Sequence, residues 1–358
     1  MNMTVAEKQF LMTMGALEKN PTDFETGENK LTNIETLCKR ATQIFIEKLD
    51  ERTFERETID TLIDKGLLEQ NGDIFTLTSS GLTSAREIRK EYLDDEYSDG
   101  LIRRSESKIC SVIREQVYGK DLCQFNMMTM AQLTKLLKIL KLTSDDSVLD
   151  LGCGIGKITE YLSDVTQASV LGVDIAVGAI QAALNRTQGK RNRLEFRVDD
   201  MDDLSLPLAS VDCIIAIDTL YFVENLEGTI GQMKEILKPG GRMGLFYSQV
   251  GNPKESKEIL QPDKTKLALA LKKHGLNFQT TEFTESEKLL WNQLKRLYEE
   301  YKTNFQEEGI LDLHEKSYHE VESMVKVFNE DRGRRYLYHV ILRTRNSEKL
   351  AQDEENQP

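Results

Sequence analysis

The chain has 358 residues, 39% apolar and 30% charged, with a formal net charge of −13. That length can bury the cores of two unequal domains, and the acidity argues against a surface built to neutralise phosphates. Five scattered cysteines (Cys38, Cys110, Cys123, Cys153 and Cys213) form no CxxC pair, so neither a disulfide framework nor a zinc knuckle is expected, and a reduced cytoplasmic setting fits. MNMTVAEKQF lacks a basic segment followed by an apolar stretch, and no apolar run nears the roughly 20 residues of a membrane helix, so neither a signal peptide nor a span is expected.

Three regions follow in chain order. In residues 1–95, Leu31, Ile34, Leu37, Ile44 and Ile46 recur at helical spacing, and residues 53–65 repeat that habit. LLEQNGDIFTLTSSGL predicts a hairpin around Asn71-Gly72, and residues 82–92 a closing helix. These helices, the hairpin and the phrase LTSSG resemble a winged-helix domain over roughly 60 residues. Residues 96–145 read as a helical linker or lid containing QFNMMTMAQLTKLL.

From residue 146 to 346, apolar strands alternate with amphipathic helices. Strands are predicted at 147–151, 169–173, 194–198, 211–217, 242–247, 278–283 and 336–344. This is the pattern of an α/β, doubly wound, mostly parallel seven-stranded sheet. LKPGG before the fifth strand reads as a helix end and a Pro-Gly-Gly turn. The polar tail, residues 347–358, is expected to be disordered.

The chemistry concentrates after the first strand, where VLDLGCGIG places Gly152, Gly154 and Gly156 between a buried strand and a helix. Glycine there admits unusual φ/ψ and lets a ligand touch main chain. A phosphate loop needs GxxxxGK[ST], but Lys157 is followed by Ile158 and the register fails. A dinucleotide fingerprint needs GxGxxG or GxGxxA, and Lys157 holds the last position. GxGxG preceded by Asp150 suits a nucleoside without pyrophosphate. Asp174 ends the second strand 22 residues after Gly152, where a carboxylate can accept from both ribose hydroxyls. Asp200 and Met201 follow the third strand, within reach of an adenine edge, and the fourth strand ends at Asp218.

VLDLGCGIG, GVD, DDMDDLSLP, VDCIIAIDTL and LKPGGRMGLF, in this order and spacing, resemble the class I S-adenosylmethionine (SAM)-dependent methyltransferases over residues 124–250. The resemblance implies a Rossmann-like fold, SAM as cofactor and no metal. It implies that Asp150, Gly152, Cys153, Gly154 and Gly156 cradle the methionine part, that Asp174 with Ile175 holds the ribose, and that Asp200 and Met201 hold the adenine. Asp218 then lies by the methionine amino group or the acceptor. The segment from Gln124, which is similar to small-molecule enzymes such as the ubiquinone/menaquinone and sterol methyltransferases, would fold over the cofactor's carboxylate. Plainer roles compete: packing for the glycines, a helix cap for Asp174, solvated surface for the acidic run around Asp200.

Catalytic candidates are Asp218, Tyr221 and Tyr247, the tyrosines as acceptor-orienting groups or a cation-tolerant aromatic wall together with Tyr118. His274 reads as a helix C-cap, His314 and His319 lie five residues apart, too wide for one helical face, and His339 sits in the last strand. Residues 285–331 are too long for a plain connection and predict a two-helix cap over the acceptor pocket. Within it Trp291, Tyr298 and Phe305 recur at seven-residue spacing, which reads first as core packing. Met127, Met128 and Met130 read as adaptable packing.

The expected partner is a small-molecule acceptor, methylated on O, N or C by in-line displacement. Methylation of RNA or protein is an alternative, but there is no NPPY-type loop and no basic groove. A non-catalytic, SAM-responsive DNA-binding regulator is another. Against it, residues 1–100 hold 12 basic and 21 acidic side chains, and residues 53–65, the recognition stretch of that reading, carry more acids than bases. A structural dimer that has lost its cofactor is a third. The N-terminal part instead resembles the dimerisation and lid modules of natural-product O-methyltransferases, so a homodimer through it is expected, with no nucleic acid and no membrane partner.

Overall fold

The computed structural model describes residues 2–19, 34, 37–38, 41 and 49–342. Most of the helix expected over 31–49, and the whole tail 347–358, lie outside the described residues. The chain divides into two units, Met1–Asp95 and Glu96–Pro358.

The first unit contains α1 (Val5–Lys19), α2 (Arg56–Asp64) and the hairpin β1 (Leu68–Asn71) and β2 (Ile74–Leu77). Phe10, Leu11, Met14, Ile59, Leu62 and Phe75 form its core. Asn71 pairs with Ile74, so the two-residue loop is Gly72-Asp73, one position later than expected. Gly72, at φ +63°, takes the first central position, as a type II′ turn requires. The helix expected over 82–92 is far longer: α3 runs Ser79–Glu106, and the chain passes from one unit to the other within it. Nothing in EYLDDEYSDGLIRR breaks the helix. It ends where Ser107 caps α4 (Lys108–Tyr118) by accepting from the Cys110 amide at 3.1 Å.

The second unit is built on a seven-stranded sheet in the order β5-β4-β3-β6-β7-β9-β8. The strands are β3 (Ser147–Leu151), β4 (Ser169–Asp174), β5 (Leu194–Val198), β6 (Val211–Ile217), β7 (Leu237–Val250), β8 (Phe278–Glu282) and β9 (Gly333–Ile341). All pairs are parallel except those of β9 with β7 and β8. Both faces are covered, as continuous apolar strands demand. Leu149, Leu151, Ile214 and Ala216 pack on one side, and Val148, Cys213, Ile215 and Ile217 on the other. The expected Pro-Gly-Gly turn is absorbed into β7: Leu237 pairs with Val211 and Arg242 with Cys213, so residues 238–241 bulge out, with Gly240 at φ +82°.

Helices α5 (Met130–Leu140), α6 (Lys157–Thr166), α7 (Val177–Arg186), α8 (Leu226–Ile236) and α9 (Lys266–Lys273) pack around the sheet. His274 is the C-cap of α9, its Nε2 2.9 Å from the Glu227 carbonyl oxygen. The stretch between β8 and β9 forms three helices rather than two: α10 (Thr284–Glu300), α11 (Lys302–Glu307) and α12 (Leu311–Asn329). Gly309, at φ +71°, turns the chain from α11 into α12. From β3 the chain winds outward to β4 and β5, then returns to β6 on the other side. This reversal leaves a crevice at the carboxyl ends of β3 and β6, where doubly wound sheets place ligands. Among the described residues no helix is long and apolar enough to cross a membrane, and no cluster of three or more His, Cys, Asp or Glu is placed to hold a metal.

Candidate active site

The three glycines of the loop after β3 all have positive φ, yet they differ in what surrounds them. A Cβ on Gly152 would stand 2.3 Å from Thr219 Cγ2, and one on Gly156 2.2 Å from Phe196 Cε1. Both are packing glycines as well as turn glycines. A Cβ on Gly154 would meet only Leu101, at 3.8 Å, so main chain is open to a ligand there. The amides point inward: Gly152 and Cys153 donate to the Val173 carbonyl, Gly156 to that of Cys153, and Gly154 to Asp174 Oδ2 at 2.7 Å. A loop with these four amides engaged cannot form the anion nest of a pyrophosphate site. It can lie against the uncharged faces of a nucleoside.

Asp174 ties the glycine loop to the start of α7. Oδ2 accepts from Gly154, and Oδ1 accepts from Ala176 at 2.9 Å at the start of α7, so it does serve as a cap while bracing the loop. Ile175 is the next residue along the same turn. Asp150 is buried beneath the loop, accepts from Thr159 Oγ1 at 2.6 Å, and is pushed by burial up to about 7. Burial also raises the Cys153 thiol far above its usual range. The acidic run is only partly solvated surface: Asp203 is exposed and Asp202 half-buried. Asp199 and Asp200 are buried, Asp199 accepting from Ser205 and Asp200 from the Asp202 amide, while Met201 packs against the core.

Asp218, Tyr221, Tyr247 and Gln124 come together on a second feature, a cavity of about 400 Å³. Asp218 has φ +57°, a left-handed conformation costly for a non-glycine residue, and its side chain explains why it is held there. Arg335 of β9, fully buried, donates to both of its oxygens, at 2.7 Å to Oδ2, and the Met127 amide donates to Oδ2 as well. Arg335 Nη1 also reaches Ser248 Oγ, and its Nε lies 3.4 Å from Glu287 Oε2 without a hydrogen bond. Glu287 accepts from Trp291 Nε1 at 3.1 Å, and burial, reinforced by Asp218 and opposed by Arg335, pushes its carboxyl up to about 7. Tyr247 is buried on β7 and raised by burial to about 12. Tyr221 leaves 45% of its surface uncovered, its ring 6.2 Å from Tyr247 and 4.7 Å from Phe222. Gln124 braces the 120–128 loop, accepting from Leu122 and donating to Lys120 and Met128.

Residues 148–241 match the family described as a methyltransferase domain. The chain carries a class I methyltransferase domain. It is 28% identical over 161 residues to phosphoethanolamine N-methyltransferase 3 of Arabidopsis thaliana, covering 45% of this chain and 31% of that protein. It is 36% identical over 106 residues to demethylmenaquinone methyltransferase of Tropheryma whipplei, covering 30% of this chain and 43% of the relative. The chain thus spans less than half the length of these curated relatives. Its fold is similar to that of phosphoethanolamine N-methyltransferase 2 of Haemonchus contortus, solved with phosphomonomethylethanolamine and S-adenosylhomocysteine. There the TM-score is 0.56 at 14% identity, over 96% of this chain and all of that one.

Asp150, Gly152, Cys153, Gly154, Gly156 and Asp174 lie in or beside the loop after β3, Asp200 and Met201 follow β5, where the Asp199 amide donates to the Asp174 carbonyl, and Gln124, Asp218, Tyr221 and Tyr247 line the cavity. None of the four histidines lines it. Trp291 and Tyr298 do, whereas Phe305 is core, so the aromatic stripe serves both purposes. Met127 lines the cavity and Met128 is core. The main groups missed in the sequence are Arg335, Glu287, Glu320 and Arg104. The first had a signal: an arginine opening the apolar strand RRYLYHV must find a buried acid. Glu287 also had one, since it precedes Trp291 by four residues on the stripe that continues to Leu294 and Tyr298.

Proposed function

We propose that this chain moves the methyl group of SAM to an O, N or C atom of a small molecule seated in the cavity. The observation that carries the reading is the open main chain at Gly154 beside Asp174, in a loop whose amides are turned away from any phosphate. The residues fit the cofactor. Gly154 would lie against its methionine part, and Asp174 would hold the ribose. Asp200 and Met201 would border the adenine. When bound, SAM supplies a methyl group on a cationic sulfur that a lone pair can displace in line.

The protein's own task is placement and exclusion of water. Orienting two reactants in this way is worth roughly 7–11 kcal/mol of the barrier. Tyr221 and Tyr247 would orient the acceptor. Asp218, locked by Arg335, would act as a fixed anion rather than as a free base. The relatives' names cover an amine and a quinone, so they do not select the acceptor atom. The first unit we read as a winged-helix-like dimerisation module, to be checked by light scattering of the full chain.

The test is calorimetry with SAM and S-adenosylhomocysteine, followed by incubation with labelled SAM and a metabolite extract to identify the labelled product. Binding with a transferable label supports the reading. A folded protein that binds neither compound sinks it.

A further inference from the structure

The loop after β6, residues 218–225, brings Asp218 and Tyr221 to the cavity and is pinned at both ends. At its start Asp218 is locked to Arg335, and Thr219 Oγ1 donates to the Leu151 carbonyl at 3.0 Å. At its far end the Asp202 carboxylate holds it: Oδ1 accepts from the Glu224 amide at 3.1 Å and from the Asn225 amide at 3.0 Å. Asn225 in turn caps α8, accepting from the Gly228 amide at 2.9 Å. Between these anchors Leu220 enters the core, whereas Tyr221 and Phe222 are exposed. Their rings touch each other and, on either side, those of Tyr247 and Tyr97.

Asp202 itself is not among the residues lining the cavity. It belongs to the loop after β5 that Asp200 and Met201 open, and its amide donates to Asp200 Oδ1 at 3.0 Å. Three more bonds fasten this loop to α8. Thr229 Oγ1 donates to the Met201 carbonyl at 3.1 Å, and Gln232 donates to the Asp202 carbonyl at 3.0 Å and accepts from the Leu204 amide at 2.8 Å. The residues that would border the adenine and the tyrosine that would orient the acceptor are therefore joined through the Asp202 side chain. Hydrogen bonds to a carboxylate are charge-assisted and roughly twice as strong as neutral ones, so displacement of the first loop is carried to the second.

Resting on the methyl-transfer reading, we propose that Asp202 is a positioning residue: it makes the acceptor wall at Tyr221 follow the adenine loop, so that a bound nucleoside sets the wall. It needs no contact with either ligand. An adenine held against Asp200 and Met201 damps the motion of that loop, and the two Asp202 bonds pass the damping to Glu224 and Asn225.

Hydrogen-exchange mass spectrometry of the full chain tests this, because amide exchange reads local opening segment by segment. Two compounds serve as probes: S-adenosylhomocysteine, and 5′-methylthioadenosine, which keeps the nucleoside and lacks the amino-acid end. Each should slow exchange over residues 219–226 by at least about fivefold. Asp202→Ala should abolish that slowing while S-adenosylhomocysteine still protects residues 152–158. Asp202→Asn, whose amide oxygen can accept from both main-chain donors, should restore most of it. A side chain that merely caps α8 would change exchange equally with and without ligand, so an Asp202→Ala variant with the parent's ratio overturns the proposal. It is also overturned if S-adenosylhomocysteine alone slows the loop, because the signal would then enter from the methionine end past Asp218. A loop that neither compound slows in the unmodified protein overturns it without recourse to any variant. Failure of S-adenosylhomocysteine to protect residues 152–158 counts against methyl transfer, whereas protection there with 219–226 unaffected counts against the coupling alone.

Discussion

Around the glycine crevice, contacts are made by main chain drawn from one stretch, residues 150–176: amides of Gly152, Cys153, Gly154 and Ala176 meet the Val173 carbonyl and the Asp174 carboxylate. Around the cavity they are made by side chains arriving from the end of β6, from β7, β9 and five helices, and the central one joins Asp218 to Arg335 across 117 positions of sequence. The loop tolerates almost no added atoms at Gly152 and Gly156 and is open at Gly154. The cavity wall is held instead by charge pairing, so the two regions should fail in different ways when altered.

The largest effect is expected in the cavity wall. Arg335→Met leaves Asp218 and Glu287 buried without their cation, and should cost about 3–5 kcal/mol in urea unfolding. The double variant Asp218→Asn with Arg335→Met should recover part of that loss. A single variant as stable as the parent would show that the pair is not a structural unit.

Next comes the contrast between two glycines of one loop. Gly156→Ala drives a Cβ into Phe196 at positive φ and should cost about 2–5 kcal/mol of stability. Gly154→Ala meets open space and should cost only about 1–2 kcal/mol, for its φ, while obstructing SAM. Equal stability of the two variants would remove the distinction between packing glycine and open glycine.

The third effect is one of pH. Burial raises the Asp150 carboxyl from its usual 3.8 to about 7, so the folded chain holds that proton more tightly than the unfolded chain does. Its stabilising contribution is therefore complete below about pH 4 and is lost as pH rises through 7, by on the order of 1–3 kcal/mol. Asp150→Asn should flatten that part of the profile when unfolding midpoints at pH 5 and pH 8 are compared. An unchanged slope would mean that Asp150 is already ionised in the fold.

The smallest is local to the ligand. Asp174→Ala should weaken SAM binding by about 1.5 kcal/mol, the scale of a hydrogen bond to a charged group, read by calorimetry on a folded variant. Unaltered affinity would confine Asp174 to bracing the loop and capping α7.

By itself the sequence determined the seven strands, the glycine loop and the acids behind it, because these depend on short-range rules: alternation of apolar residues, positive φ at glycine, a carboxylate ending a strand. Even there the hairpin turn was off by one residue and the helix over 82–92 was too short, since Asn71 does not announce which residue takes the first turn position and no residue before Ser107 stops the helix. Only the tertiary structure decided which glycine stays open, because that depends on Thr219 and Phe196, side chains remote in sequence from the loop. It alone decided that Asp218 is tied to Arg335. Coulombic pairing acts through space and leaves no periodic trace along a chain, whereas hydrogen-bonded backbone repeats leave one every two or every three to four residues.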